Sequence, residues 1–355
     1  MSVKRIVFTG GPCAGKTTLI EKTEEYLKGK GYKVIVVQET ATQLLKSGIN
    51  AGLLGNPVAF QRFILEFQLF NENIAEEVME ISPDDNFVIL YDRGTLDNKA
   101  YFDDYNNFDS IMIGADVDEI EYLDKYDLVL DLITTADCAP EKYTLLTNDQ
   151  RTESIEEAKI LDKKTSNAWV GHRNMKIINS NISINEAFEL IKKEIDCLLK
   201  GRTKKEIKKQ EIYNSIEDFK NYNDGNSRLI RMQELVLNKE NDNIKYVLYK
   251  RMYKGENSYI LKVYKEENGI QTIYCDKKIP FDYYLDLITR YKIKCENYYE
   301  DLTFIENRQE YKIKFYDDRV MLEYEENKLN DEFVLPQVIK INKKLLKKKK
   351  HDNIN

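Results

Sequence analysis

Two hydrophobic rhythms divide this chain of 355 residues. In the first two hundred residues, short apolar runs alternate with stretches of helical period. Lys4-Arg5-Ile6-Val7-Phe8 predicts a short buried strand, and Thr17 to Lys28 predicts an amphipathic helix closed by Gly29 and Gly31. Tyr32 to Val37 predicts a second strand ending at Gln38-Glu39-Thr40. A long helical pattern runs from Pro57, a residue suited to a first helical turn, to Ile81. Phe87-Val88-Ile89-Leu90-Tyr91 is apolar without interruption, as in a strand buried on both faces, and ends in Asp92-Arg93-Gly94. Asp127 to Ile133 and Met175 to Ile178 supply a fourth and a fifth strand, before a last helix from Ile184 to Lys200. This alternation predicts an α/β domain with a parallel sheet and helices on both sides. Ligands of such sheets sit at the carboxyl ends of the strands, where Glu39 and Asp92 should meet.

From Glu206 the rhythm shortens to period two. Strands are predicted at Glu206–Ile212, Ser227–Leu237, Lys245–Tyr253, Ser258–Lys265, Gln271–Ile279, Tyr311–Tyr316 and Val320–Glu325, with one helix at Phe281–Tyr291. Turn signals such as Asn268-Gly269 separate several of them. Many antiparallel strands with one helical interruption predict a closed β-barrel. The length exceeds one typical core, so the expected division is a domain over 1–200, a barrel over 201–339 and a tail over 340–355.

Between the first strand and the first helix stands Gly10-Gly11-Pro12-Cys13-Ala14-Gly15-Lys16-Thr17-Thr18, a glycine, four residues, then Gly-Lys-Thr. Glycines let successive N–H groups turn inward on a polyphosphate, and the helix start adds its positive end. Lys16 would reach the outer phosphates, and Thr17 with Asp92 would hold Mg²⁺. The spacing therefore predicts a nucleoside triphosphate site, with GTP and ATP both open. Asp92 could instead cap the segment starting at Thr95. Glu39 could serve an acceptor hydroxyl, although strand-end carboxylates are common. Arg93 could meet a phosphate or stand in an ion pair. The polar stretch 139–169 could form a lid in which Arg151 offsets transition-state charge, or a plain solvated helix. Arg173 is a further phosphate candidate, whereas His172, beside the one tryptophan, suits a structural role.

Charge changes the picture in one place. Residues 1–200 hold 22 Lys+Arg against 34 Asp+Glu, and seven lysines crowd Lys340 to Lys350. That tail could be merely solvated, or could approach an anionic membrane surface or nucleic acid. The five cysteines are scattered, and the N-terminus runs straight into a strand. Together these favour a cytoplasmic protein with reduced thiols, with peripheral membrane contact through the tail as an addition.

The phosphate loop with Pro-Cys, Glu39-Thr40-Ala41, Tyr91-Asp92-Arg93-Gly94, Arg151-Thr152-Glu153 and Trp169-Val170-Gly171-His172 together resemble the TRPL translocation defect protein family. Its N-terminal domain is similar to the nicotinamide-riboside kinase and thymidylate-kinase branch of P-loop NTPases. The resemblance implies guanine nucleotide binding, although no Asn-Lys-x-Asp motif is present. The C-terminal half resembles a CYTH, or triphosphate tunnel, domain in Tyr249-Lys250-Arg251-Met252-Tyr253, Ser258-Tyr259-Ile260-Leu261-Lys262 and Leu322-Glu323-Tyr324-Glu325. It implies a lumen lined by Lys250, Arg251, Lys262, Arg308, Lys312 and Lys314 with Glu323 and Glu325. Such a lumen would hold a phosphorylated small molecule or an anionic phospholipid headgroup. The Glu-x-Glu-x-Lys opening is missing, which argues against triphosphatase chemistry. The expected role is a nucleotide-dependent regulator, and the alternative is a small-molecule kinase.

Overall fold

The computed structural model describes residues 3–82, 86–102, 105–138, 154–179, 181–200, 202–203, 207–222, 227–238, 243–267, 270–325, 336 and 338–339. The chain forms two compact units, 1–202 with 276–278, and 203–275 with 279–355.

In the first unit the elements run β1 (Lys4–Thr9), α1 (Lys16–Gly29), β2 (Lys33–Val37), α2 (Thr40–Lys46), α3 (Ala51–Leu54), α4 (Pro57–Ile81) and β3 (Phe87–Asp92). A 3₁₀ turn (Thr95–Tyr101) leads to α5 (Tyr105–Gly114), α6 (Glu119–Lys125), β4 (Leu128–Leu132) and α7 (Thr135–Cys138). Then come α8 (Ile155–Ala168), β5 (Met175–Ile178) and α9 (Ile184–Lys200). The sheet order is β2-β3-β1-β4-β5, and β1 pairs in parallel with both β3 and β4. The chain leaves β1 over one flank of the sheet and returns to the other through β4, so the crevice opens at the ends of β1 and β3.

Burial follows the alternation of the strands. Ile6 and Phe8 of β1, with Leu90 and Leu130, pack against Leu19 and Leu27 of α1 and Ile191 and Ile195 of α9. Val7 points the other way, where Tyr91, Tyr126 and Trp169 meet edge to face at 5.2 and 5.4 Å. A Cβ on Gly94 would lie 2.8 Å from the Trp169 ring and 3.2 Å from Val7, so the turn after β3 must be glycine there.

The elements after α9 are β6 (Arg202–Thr203), β7 (Lys208–Ile212), β8 (Ser227–Asn238), β9 (Ile244–Tyr253), β10 (Glu256–Glu267), β11 (Ile270–Lys278), α10 (Phe281–Arg290), β12 (Lys292–Glu306), β13 (Gln309–Phe315) and β14 (Val320–Tyr324). They form one nine-stranded sheet, ordered β6-β11-β10-β9-β8-β12-β13-β14-β7. The expected barrel is thus supported as an antiparallel sheet, and among the described residues the order is that of an open sheet. The fifteen-residue β12 is absent from the sequence reading. Its first half is exposed and carries a register shift between Ile293 and Cys295, so its side chains do not alternate. Backbone pairing with β8 and β13 holds it instead.

Candidate functional site

The phosphate loop owes its shape to three left-handed or otherwise positive-φ residues, Gly10 (φ 123°), Cys13 (φ 57°) and Gly15 (φ 78°). A Cβ on Gly10 would lie 1.9 Å from the carbonyl oxygen of Leu132, so this close approach excludes every side chain. At Gly11 a Cβ would meet Asp162 of α8 at 2.7 Å. The buried Asp162 Oδ1 accepts instead from the Gly11 N–H at 2.7 Å and the Thr134 N–H at 3.1 Å. Lys16 folds back over the loop, and its Nζ donates to the carbonyl oxygens of Gly10 and Gly11 at 2.9 and 2.8 Å. The loop carbonyls thus satisfy the buried ammonium where no phosphate does. Thr17 lies exposed at the start of α1, next to Thr18.

Asp92 ends β3 beside this loop. Its Oδ1 is buried with no hydrogen-bond partner. Burial, and next the charge of Glu39, push its pKa up to about 6 against the opposing pull of Lys16 and Arg93. A buried carboxylate oxygen without a donor, near the loop's lysine, has the chemistry a hard cation takes. Asp92 therefore fits Mg²⁺ in its donor chemistry, as does a hydroxyl such as that of Thr17. The capping alternative for Asp92 falls away, because Asp97 takes that part, its Oδ2 accepting from the Gly94 N–H at 2.7 Å.

Glu39, at the end of β2, and Arg93 come together as an ion pair. Arg93 Nε donates to Glu39 Oε1 at 2.6 Å, and the Thr42 hydroxyl donates to Oε2 at 2.6 Å. Burial would raise the Glu39 pKa, but Arg93, then Lys16 and Thr42, hold it down at about 2. So low a pKa makes Glu39 a weak proton acceptor and a lasting carboxylate. Arg93 stands at φ 71°, an unfavourable value for a side-chain-bearing residue, and its buried Nη1 has no hydrogen-bond partner, its nearest counter-charge being Asp97 Oδ1 at 3.8 Å. Backbone strain at a residue with an unsatisfied donor suits a ligand contact. A buried network braces the turn from beneath. Gln68 of α4 donates to the Arg93 carbonyl at 3.3 Å and to Glu72 at 2.9 Å, and Glu72 accepts from Thr95, Tyr126 and Lys125 at 2.9, 2.7 and 2.6 Å.

Other candidates lie elsewhere. Arg173 donates to the Tyr126 carbonyl and to Asp127 Oδ1 at 3.1 and 3.0 Å. Asp127 immediately precedes β4, at the amino ends of the strands. The phosphate role expected of Arg173 is corrected to a structural ion pair. His172 is structural: its Nδ1 accepts from the Asn174 N–H at 3.0 Å, so its Nε2–H donates to the Tyr126 carbonyl at 3.0 Å. Arg151 falls outside the described residues. Ser154 and Glu157 cap α8 reciprocally, as the serine followed by an acid suggests, but α8 is fastened to the phosphate loop through Asp162. This helix is a wall of the site. Asp162 went unread, and its signal was a stripe of small and polar residues, Ala158, Asp162, Thr165 and Ser166, buried at helical spacing.

In the second unit the strand register sorts the cations. Arg251 pairs with Ser258 and Met232, Lys262 with Val247, and Lys312 with Thr303 and Glu323. Thr303 pairs in turn with Arg228, and Lys314 with Asp301. Cross-strand partners share a face, so Arg228, Arg251, Lys262, Lys312, Lys314 and Glu323 stand on one side. Arg228, Arg251 and Glu323 are buried there. Lys250 pairs with Tyr259 and Gln233 and so shares the opposite face, with Leu248 and Leu261 of the cluster under α10. Its expected place beside Lys262 is corrected by one residue of register. Glu323 bridges Lys209 and Lys314 at 2.6 and 2.9 Å, and these cations, after opposing burial, hold its pKa at about 2. Arg308 lies in the β12–β13 turn at φ 60°, and Glu325 follows β14. Arg228 and Lys209 were missed, although Arg228 fits the period-two alternation of β8.

Residues 5–186, just over half of the chain, match the AAA domain family. This chain belongs to that family. Over 218 residues it is 28% identical to a thymidylate kinase of Caldicellulosiruptor saccharolyticus, spanning 57% of this chain and 100% of that protein. The AAA domain of this chain is thus a kinase-like P-loop domain, and it binds nucleotide. Two solved structures resemble this chain weakly: a hypothetical protein NE1496, 12% identical over 39% of this chain and 88% of that one, and the inorganic triphosphatase NE1496, 12% identical over 38% and 86%. Both have a TM-score of 0.27, too low to relate the folds. No described helix is long and apolar enough to cross a membrane.

Proposed function

We propose that this AAA-domain chain is a phosphotransferase. It takes ATP or GTP with Mg²⁺ on the Gly10–Thr17 loop and transfers the terminal phosphoryl group to a nucleoside or nucleotide acceptor. The observation that carries this reading is the Glu39–Arg93 pair, 2.6 Å apart and near enough to the phosphate loop for the Lys16 charge to act on Glu39. A site for hydrolysis alone has no need of a second, strained, charged pair. The likeness to a thymidylate kinase over that protein's whole length supports a nucleotide acceptor.

The chemistry follows from charge. Lys16 exchanges its loop carbonyls for phosphate oxygens, and the loop N–H groups add neutral donors around the triphosphate. Bound between Thr17 and Asp92, Mg²⁺ would neutralise charge on the outer phosphates. Arg93 turns its unsatisfied Nη1 to the acceptor's anionic group. Glu39 accepts a hydrogen bond from an acceptor hydroxyl and orients it, without removing a proton. Screening nucleosides and nucleoside monophosphates with γ-labelled ATP and GTP tests the proposal. Label should pass to one acceptor, and hydrolysis without transfer to any acceptor would refute it.

The strand register supports a second reading, the regulator implied by the resemblance to the TRPL translocation defect family. Here nucleotide turnover accompanies binding of a phosphorylated small molecule or phospholipid headgroup on the cationic face holding Arg228, Arg251, Lys262, Lys312 and Lys314. Tripolyphosphate should then raise the melting temperature more than chloride of equal ionic strength. Lys262→Glu should lose that difference and Lys250→Glu keep it; equal loss in both would refute the reading.

A further inference from the structure

Helix α4 is bound to the site on one face and faces outward on the other. Its inner face carries Gln68 and Glu72, both buried. The outer face of such a helix is ordinarily polar. Here it is apolar along one line: Phe63, Phe67, Phe70, Ile74, Val78 and Ile81 recur at steps of three and four residues. Phe70 is 58% exposed, Ile74 44%, Val78 49% and Ile81 82%, and the rings of Phe67 and Phe70 are stacked at 6.5 Å. A continuous line of this kind on 25 residues of helix is a seam that fits another helix.

Charge selects the occupant. Along one edge of the seam stand Glu66, Asn73, Glu77 and Glu80, with Arg62 already 3.7 Å from Glu66. No cation pairs with Glu77 or Glu80 among the described residues. A second copy laid antiparallel, seam on seam, would bring Glu66 of one copy beside Glu77 of the other, and the joined rims would set Glu66, Glu77 and Glu80 of each copy against Arg62 alone. Like charges at the rim of a helix pair disfavour that arrangement. An anionic membrane surface meets the same repulsion. We infer that the outer face of α4 docks an amphipathic helix of a partner protein whose apolar seam is flanked by lysine or arginine. The partner would lie on the helix that braces the Arg93 turn, and so would act on the site from behind.

The test uses the full chain and a labelled synthetic helix of about 20 residues, with leucines at seam spacing and lysines at the flanks, read by fluorescence anisotropy. A second peptide carries glutamates at the flanks. The lysine-flanked peptide should bind, and the glutamate-flanked one at least tenfold more weakly. Phe70→Ser/Ile74→Ser/Val78→Ser, which leaves the charge unchanged, should weaken binding at least tenfold, as should Glu77→Lys/Glu80→Lys. All these positions are exposed, and circular dichroism melts confirm that the variants fold. Three results would overturn the inference. They are no binding, binding unchanged in the serine variant, and a self-association that the serine variant abolishes but the lysine-flanked peptide does not compete away.

Discussion

Asp92→Asn isolates the most informative carboxylate of the site. The Asp92 pKa stands at about 6 against an ordinary 3.8, chiefly through burial and then through Glu39. For an acid raised in the folded state, the unfolded chain gives up the proton more readily. Stability is therefore greatest below the ordinary value and declines as pH rises towards 6. Two units at 1.36 kcal/mol each give about 3 kcal/mol of folding stability withheld at neutral pH. The amide has no charge to desolvate, so Asp92→Asn should melt several degrees above the parent at pH 7 without ligand, and the gap should close towards pH 4. Addition of Mg²⁺ with ATP or GTP should reverse the order, because a cation on Asp92 recovers the withheld energy and the amide is a poor ligand for it. Thermal melts from about pH 4 to 8, with and without Mg²⁺–nucleotide, read both effects. An Asp92→Asn protein that melts below the parent without ligand, or gains as much from Mg²⁺–nucleotide, would refute the metal role.

Three further outcomes are expected. Glu39→Gln should lower phosphoryl transfer at least tenfold while leaving triphosphate affinity within about twofold, since one hydrogen bond to a charged group is worth about 1.5–3 kcal/mol; steady-state kinetics beside calorimetry separates the two. Gly10→Ala should cost about 3 kcal/mol or more through its contact with the Leu132 carbonyl, measured by urea unfolding, and should abolish nucleotide binding. Glu39 and Glu323 are both held at about 2, so the stability each contributes is complete above the ordinary 4.5 and fades as pH falls towards 2. Acid titration should therefore show a loss of up to about 3 kcal/mol per group, and Glu39→Gln should remove its share of the slope.

The elements best read from sequence are those whose own side chains decide them. The helices Pro57–Ile81 and Ile184–Lys200 and the strand Met175–Ile178 begin and end at the expected residues, because burial and capping mark their limits. The phosphate loop was legible because its glycines, lysine and threonines fall within nine residues of one another. What escaped depends on distant partners. Strand β12 is recruited by β8 and β13 rather than by its own pattern. Asp162 reaches the loop from 151 residues away. Arg173 looked like a phosphate ligand until Asp127 claimed it. Lys250 and Arg251 are neighbours in sequence, and only the register tells which of them faces Lys262.

Lys16 offers the most direct trial of nucleotide binding by this loop. Calorimetric titration of the full chain with Mg²⁺–ATP and Mg²⁺–GTP should show one site per chain for at least one of them. Lys16→Ala should weaken that site at least tenfold, as expected for a charge-assisted bond of about 1.5–3 kcal/mol. Parental affinity in Lys16→Ala, or no heat of binding with either nucleotide in the parent, would contradict the account.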